Sequence, residues 1–258
     1  MTETVRVERD GPVTTVLLNR PEARNAVDGA TAAALADAFR EFDEDASASV
    51  AVLAGVGSAF CAGADLKAAG TDRGNRTVAD GDGPMGPTRM VVSKPVIAAV
   101  SGHAVAGGLE LALWCDLRVA DETAVFGVFC RRWGVPLIDG GTVRLPRIVG
   151  QGRALEIILT GRKVPAEECL RIGLCEYLVP NGEVRAKAEE LAHDIASFPP
   201  VCVRADRRSA IKSQGLSVRD GLIQEWYNGR EALIKDGAAG AARFRNGLGR
   251  HGDFSKIY

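Results

Sequence analysis

Two glycine-rich turns carry the residues best suited to chemistry, Cys61-Ala62-Gly63-Ala64-Asp65 and Ala106-Gly107-Gly108-Leu109-Glu110. Each leads from a predicted strand toward a short helix. Small side chains let a ligand approach the main chain, and the N–H groups at a helix start have no internal partners. Either turn can therefore hold developing negative charge, and two such donors together make an oxyanion hole. Tight packing turns are the simpler explanation for either one alone. Glu110 has two readings as well. An acid in the first helical turn stabilises the helix dipole, and an acid beside an oxyanion site can move protons.

Other chemistries fit poorly. Val50 to Gly57 runs from a strand into Gly55-Val56-Gly57, yet Phe60 stands where a dinucleotide fingerprint needs its third glycine, and no long helix follows to receive a pyrophosphate. No GxxxxGK[ST] stretch is present. Ser101-Gly102-His103 places Ser and His too close in sequence to identify a catalytic triad. Six cysteines without a CxxC pair, beside three histidines, argue against structural zinc and are read as buried, reduced thiols. Thirty-two Lys+Arg against thirty-three Asp+Glu give a net charge of −1, so no overall field favours nucleic acid or an anionic membrane. The most apolar stretch, Pro95 to Leu113, contains His103, Glu110 and three glycines, which suits a buried core better than a membrane span. The N-terminus lacks a secretory pattern, and the expected location is cytoplasmic.

The elements that must position the two turns can be read from periodicity. Val5–Val7 and Val13–Leu18 flank Asp10-Gly11, a hairpin signal. From Asp28, an N-cap, Ala32, Leu35, Phe39 and Phe42 recur at helical spacing. Strands are predicted at Val50–Leu53, Val96–Val100 and Leu117–Val119, with a short apolar helix over Gly107–Cys115. Gly70 to Pro87, with five glycines, two prolines and five charged residues, predicts a long mobile loop or lid of the kind that borders a site. From about Gly152 the chain turns helical, with helices over Leu155–Leu159, Ala166–Ile172, Val184–Ile195, Ala205–Ile211 and Leu222–Ile234. Glycine, 30 of 258 residues, exceeds the usual share of about 7%. Many turns must therefore need its backbone freedom.

Three long segments in order, Leu18-Asn19-Arg20-Pro21-Glu22-Ala23-Arg24-Asn25-Ala26, Ser58-Ala59-Phe60-Cys61-Ala62-Gly63-Ala64-Asp65-Leu66 and Lys94 through Val100 to Leu111, closely resemble the enoyl-CoA hydratase/isomerase (crotonase) family. Gly140-Gly141-Thr142, Leu145-Pro146 and Leu159-Thr160-Gly161-Arg162 resemble it too, and the tail from Phe244 to His251 does so loosely. The resemblance implies an α/β fold, a crotonase-like spiral of repeated ββα units (residues 1–195), followed by a C-terminal helical trimerisation region (196–258). It implies an acyl-CoA thioester as substrate, coenzyme A entering only as part of that substrate, no tightly bound cofactor, no metal, and a homotrimer or a hexamer built as a dimer of trimers.

By the same resemblance the N–H groups of Ala64 and Gly107 hold the thioester oxygen, and Arg24, Ala26, Ala62, Asp65, Leu66 and Lys67 line the coenzyme A site. Phe244 is the candidate for a tail residue reaching a neighbour's site. Family hydratases use two glutamates, and Glu110 matches the first. The second position, after Phe126-Gly127, reads Cys130, a poor copy of a carboxylate. Asp139 stands nearby, either as a substitute acid or as the cap of a helix near Thr142. Hydration, double-bond isomerisation, decarboxylation with Arg131-Arg132 meeting an acyl carboxylate, and non-catalytic acyl-CoA binding are the readings carried forward. For the two arginines, structural ion pairing is the alternative role.

Overall fold

The computed structural model describes residues 3–249. Strands β1 (Val5–Asp10) and β2 (Val13–Leu18) form the expected antiparallel hairpin, with Asp10 paired to Val13. The turn residues are thus Gly11 and Pro12, not Asp10 and Gly11. Gly11 supplies the positive φ, +53°, and proline's missing N–H is harmless in a turn. Helix α1 (Gly29–Glu44) starts where expected because Asp28, in extended conformation, accepts the Thr31 N–H at 3.0 Å. Its buried stripe of Leu35, Phe39 and Phe42 packs inward, Phe39 meeting Trp114 edge-on at 4.7 Å.

Next come β3 (Val50–Gly55), β4 (Val96–Val100), β5 (His103–Val105), α2 (Gly107–Trp114), β6 (Leu117–Asp121) and β7 (Val125–Gly127). A 3-10 turn (Phe129–Trp133), α3 (Gly141–Val149), α4 (Gln151–Thr160), β8 (Val164–Pro165), α5 (Ala166–Ile172), β9 (Tyr177–Val179) and α6 (Val184–Ala196) complete the core. One sheet has the order β1-β2-β3-β4-β6-β9 and is parallel from β2 onward; a second has the order β5-β7-β8. Isolated bridges Val27–Ala64 and Cys61–Ala104 extend this shorter layer. The chain therefore leaves the long sheet four times to add a short extended piece beside it: β2 then Val27, β3 then Cys61–Ala64, β4 then β5, β6 then β7. This is the expected repeated ββα pattern, with residues 70–87 standing where the second repeat lacks a helix.

One core lies between α1, α2 and the sheets, built from residues such as Leu35, Phe39, Phe60, Leu109 and Leu145. A second lies on the opposite face, where Val184, Ala188 and Ala192 of α6 cover Val52, Ile97 and Val119. Helices α7 (Pro200–Lys212), α8 (Val218–Ala232) and α9 (Ala238–Arg245) follow, with a π-helical stretch (Leu233–Gly237) between the last two. They bury few residues but expose Leu222, Trp226, Tyr227 and Leu233. Arg207 ties α7 to the core through Asp116 at 2.8 Å and Val92 O at 2.8 Å. Five cysteines are buried as expected, whereas Cys202, expected buried, is exposed on α7. Among the described residues no helix is long and apolar enough to cross a membrane.

Candidate active site

Sheet pairing brings the two glycine-rich turns together. Cys61 donates to His103 O at 2.9 Å and accepts the Val105 N–H at 3.1 Å, which sets residues 62–64 beside residues 106–107. On the other side, Val27 donates to Gly63 O at 2.9 Å and accepts the Asp65 N–H at 2.8 Å. In an extended chain successive N–H groups alternate in direction, so Ala64's own N–H is turned away from Val27. The turns touch: a Cβ on Gly63, at φ +94°, would stand 2.9 Å from Ala106 Cβ and 3.0 Å from Gly107 N. A Cβ on Gly108 would overlap Cys61 O. Ala106 holds a φ of +55°, costly for a residue with a Cβ, and this reversal starts α2 at Gly107. Among the described residues neither the Ala64 nor the Gly107 N–H has a protein acceptor. Two free donors lie side by side.

One helical turn into α2, Glu110 is 2% exposed. Its Oε1 accepts the Asp139 N–H at 2.9 Å and the Gly141 N–H at 2.8 Å, while no described residue bonds Oε2. Burial pushes its pKa up to about 7, outweighing the two N–H groups that favour the anion; the nearby Asp139 charge pushes the same way as burial. Cys130 lies on the 3-10 turn beside it, and burial raises the thiol further above its ordinary value, so it stays protonated. Ala64, Gly107, Glu110, Cys130 and Asp139 all line one cavity of about 340 Å³. Apolar Met85, Phe129, Trp133 and Val135 form much of the rest.

Asp139 is not the expected helix cap. Gly140 occupies the N-cap position of α3 with φ +97° and no side-chain bond, whereas Asp139 Oδ1 accepts the Met85 N–H at 2.9 Å and the Thr88 hydroxyl. Burial raises this carboxyl's pKa as well, against the hydrogen bonds from Thr88 and Met85 that lower it. It fastens the end of the 70–87 segment to the cavity wall. That segment, expected as a mobile lid, borders the cavity through Gly70, Gly74, Asn75 and Met85. It is tied down by Asn75, which donates to Val27 O at 3.0 Å and Pro84 O at 2.8 Å, and by Arg73 on Asp28 at 2.7 Å.

Of the six residues expected around coenzyme A, Ala62, Asp65 and Leu66 line the cavity, and Arg24, Ala26 and Lys67 do not. The Asp65 carboxylate faces its own chain: it accepts Arg20 Nη2 at 3.0 Å and the Lys67 N–H at 3.1 Å. Arg20, overlooked as a site residue, also donates to Ala26 O at 2.5 Å and so joins the two segments. Arg24 and Lys67 are exposed and make no ion pair among the described residues. Leu66 forms an apolar lip, 48% exposed. Arg131 and Arg132 fit neither earlier reading. They bond carbonyls of Ile158 and Gly161, make no ion pair among the described residues, and lie outside the cavity lining; Arg132 stacks over Phe129 at 4.1 Å. Phe244 lies on α9, while Arg250 and His251 fall outside the described residues.

The family model for enoyl-CoA hydratase/isomerase matches residues 8–218. An enoyl-CoA hydratase of Mycobacterium tuberculosis is 35% identical over 239 residues, covering 90% of this chain and 89% of the relative. A carnitinyl-CoA dehydratase of Salmonella arizonae is 36% identical over 223 residues, covering 86% and 85%. A solved enoyl-CoA hydratase of M. tuberculosis H37Rv superposes with a TM-score of 0.89 at 38% identity over 94% of this chain and 96% of that one. With the family model spanning most of its length and such relatives aligned nearly end to end, the chain belongs to the enoyl-CoA hydratase/isomerase family.

Proposed function

We propose that the protein hydrates an enoyl-CoA thioester, or runs the reverse dehydration, with Glu110 as its single acid/base group. The observation that supports this most is a buried carboxylate, its pKa raised to about 7 and Oε2 unengaged, beside two free N–H groups. The thioester oxygen accepts from Ala64 and Gly107. Ionised Glu110 takes a proton from water as the water oxygen bonds to C3, and the C2–C3 electron pair moves to form an enolate on the held oxygen. Glu110 then returns the proton to C2, and the enolate collapses to the thioester. A pKa near the working pH suits a group that must first accept a proton and then donate it.

Cys130, kept as a thiol, and Asp139, whose Oδ1 holds Met85 and Thr88, take no proton in this scheme. Asp139→Asn retains an oxygen acceptor for both partners, so it and Cys130→Ala should each keep kcat within about tenfold of wild type, below the 10²-fold that marks a lost acid/base group. Loss of enoyl-thioester absorbance measures both. A nearly inactive Asp139→Asn would instead identify a relocated two-carboxylate site. Double-bond isomerisation needs the same single proton shuttle and is the second reading, favoured by a thiol, Cys130, where the family resemblance leads one to look for a second glutamate. Turnover of a panel of 2-enoyl- and 3-enoyl-CoA thioesters separates the two, and no turnover on any of them, with binding intact, would make the protein an acyl-CoA binder. Arg131 and Arg132, bonded to the Ile158 and Gly161 carbonyls outside the cavity lining, lend decarboxylation no support.

Arg24 and Lys67 remain the proposed contacts for coenzyme A phosphates, with Ala26, Ala62, Asp65 and Leu66 offering main chain and an apolar lip to the rest of the cofactor moiety. The division into a core, residues 1–195, and a helical region, 196–258, is supported by the sparse burial beyond α6. Leu222, Trp226, Tyr227 and Leu233 stand exposed on the C-terminal helices, in keeping with a homotrimer or a dimer of trimers. Light scattering should give three or six chains per particle. A monomer at micromolar concentration would remove the helices' proposed role. A cytoplasmic place in fatty acyl-thioester metabolism accords with this reading.

A further inference from the structure

Glu110 is aimed by backbone that belongs to no strand and runs into the first residue of α3. Its two donors, Asp139 N–H and Gly141 N–H, must themselves be fixed. Arg144, one turn into α3, reaches back and donates from Nη1 to Asp139 O at 3.0 Å and from Nη2 to Thr88 O at 2.7 Å. Thr88 in turn donates to the Asp139 carboxylate, which closes a loop of bonds around the turn. The two glycines between are constrained from both sides. A Cβ on Gly140 would overlap Arg144 Nη1, and one on Gly141 would stand 3.0 Å from both Cγ and Oε1 of Glu110. The Gly140-Gly141 pair thus lies between a guanidinium and a carboxylate.

We propose that Arg144 is a positioning residue for Glu110: its planar fork clamps the Asp139–Gly141 turn to the Thr88 segment and so aims the N–H groups that hold the carboxylate. The inference rests on Glu110 being the acid/base group. It carries an electrostatic corollary. Arg144 makes no ion pair among the described residues, and its charge favours ionised Glu110, whereas Asp139 on the same wall disfavours it. Cys130, on the 3-10 turn, is a neutral thiol. Around Arg144 itself stand Cys115 at the end of α2 and Arg147 on α3, and Arg89 faces Asp139. Removing the guanidinium removes a positive charge near Glu110 together with the fork; a lysine keeps the charge without the planar, two-armed geometry.

The test compares the pH dependence of kcat for wild type, Arg144→Met, Arg144→Lys and Glu110→Gln on one enoyl-CoA. Arg144→Met should lower kcat roughly 10- to 100-fold, the size of effect of losing a supporting contact, with KM little changed. Its acid limb should move upward as the favourable charge is lost. Arg144→Lys should leave the limb in place and recover part of kcat. A folded Arg144→Met whose rate falls while its limb stays put has lost structure only, and overturns the proposal, as does wild-type kcat in either variant. If the Met variant fails to fold by circular dichroism, Arg144→Lys, which keeps the charge and so should keep the limb, decides alone: kcat reduced with KM unchanged supports the clamp, and wild-type kcat, or kcat and KM changed together, overturns it. Substantial activity in Glu110→Gln would defeat the reading beneath it, a result separable from any behaviour of the Arg144 variants.

Discussion

Glu110→Gln is expected to lower kcat by about 10²- to 10⁴-fold, the usual worth of general acid/base help, while leaving KM nearly unchanged. The amide is close to isosteric. Its oxygen can keep the bonds from Asp139 and Gly141 that Oε1 accepts at 2.9 Å and 2.8 Å, so the wall of the cavity stays formed. What is lost is the ability to take a proton at the second atom. Because substrate affinity is assigned to the coenzyme A contacts and the two free N–H groups, the effect falls on the chemical step. The decay of enoyl-thioester absorbance gives both parameters. Activity within tenfold of wild type would move the acid/base role elsewhere on the wall, Asp139 first.

Gly107→Pro removes one of the two proposed oxyanion donors and should cost about 2.7 to 4 kcal/mol in kcat/KM. Proline is well tolerated at the first position of a helix, which is where Gly107 stands. The obstacle is elsewhere: a Cβ at this position would lie 2.6 Å from Met85 Sδ. Met85 is a flexible side chain, so the fair comparison is Gly107→Pro combined with Met85→Ala against Met85→Ala alone. Calorimetric binding of coenzyme A should differ little between the two. A double variant that is folded and turns over like its single-variant reference would show that the Gly107 N–H does not meet the thioester oxygen.

The parts of this account that were legible in the sequence are those fixed by local rules. Asp28 as a cap, the stripe through Leu35, Phe39 and Phe42, and the strand Val96–Val100 follow from periodicity and short-range hydrogen bonds. The glycine turns announced exposed backbone, and the long motifs pointed to the family. The hairpin was misplaced by one residue, because Asp10 satisfies turn statistics yet stays in the ladder opposite Val13. Strands β5 and β7, three residues each, exist through distant pairing, with one another, with β8 and with Cys61, and no periodicity can develop in so short a run. Asp139 resembled a helix cap from its neighbours in the chain. Its real partners, Met85 and Thr88, lie 54 and 51 positions away. Arg144 was likewise silent, since it acts by bonding carbonyl oxygens that every residue possesses, and so was Arg20, whose partners Ala26 O and the Asp65 carboxylate are brought to it by the fold.

The most direct check on the central claim, that one buried carboxylate of raised pKa carries the chemistry, is the pH profile of kcat/KM for the wild-type enzyme on a short enoyl-CoA, which reports the free enzyme's acid/base group. Glu110 must begin ionised, so activity should be full above its pKa and fall as pH drops through about 7, on a single limb of unit slope. A limb at the ordinary glutamate value near 4.3, or a rate independent of pH between 5 and 8, would contradict the account.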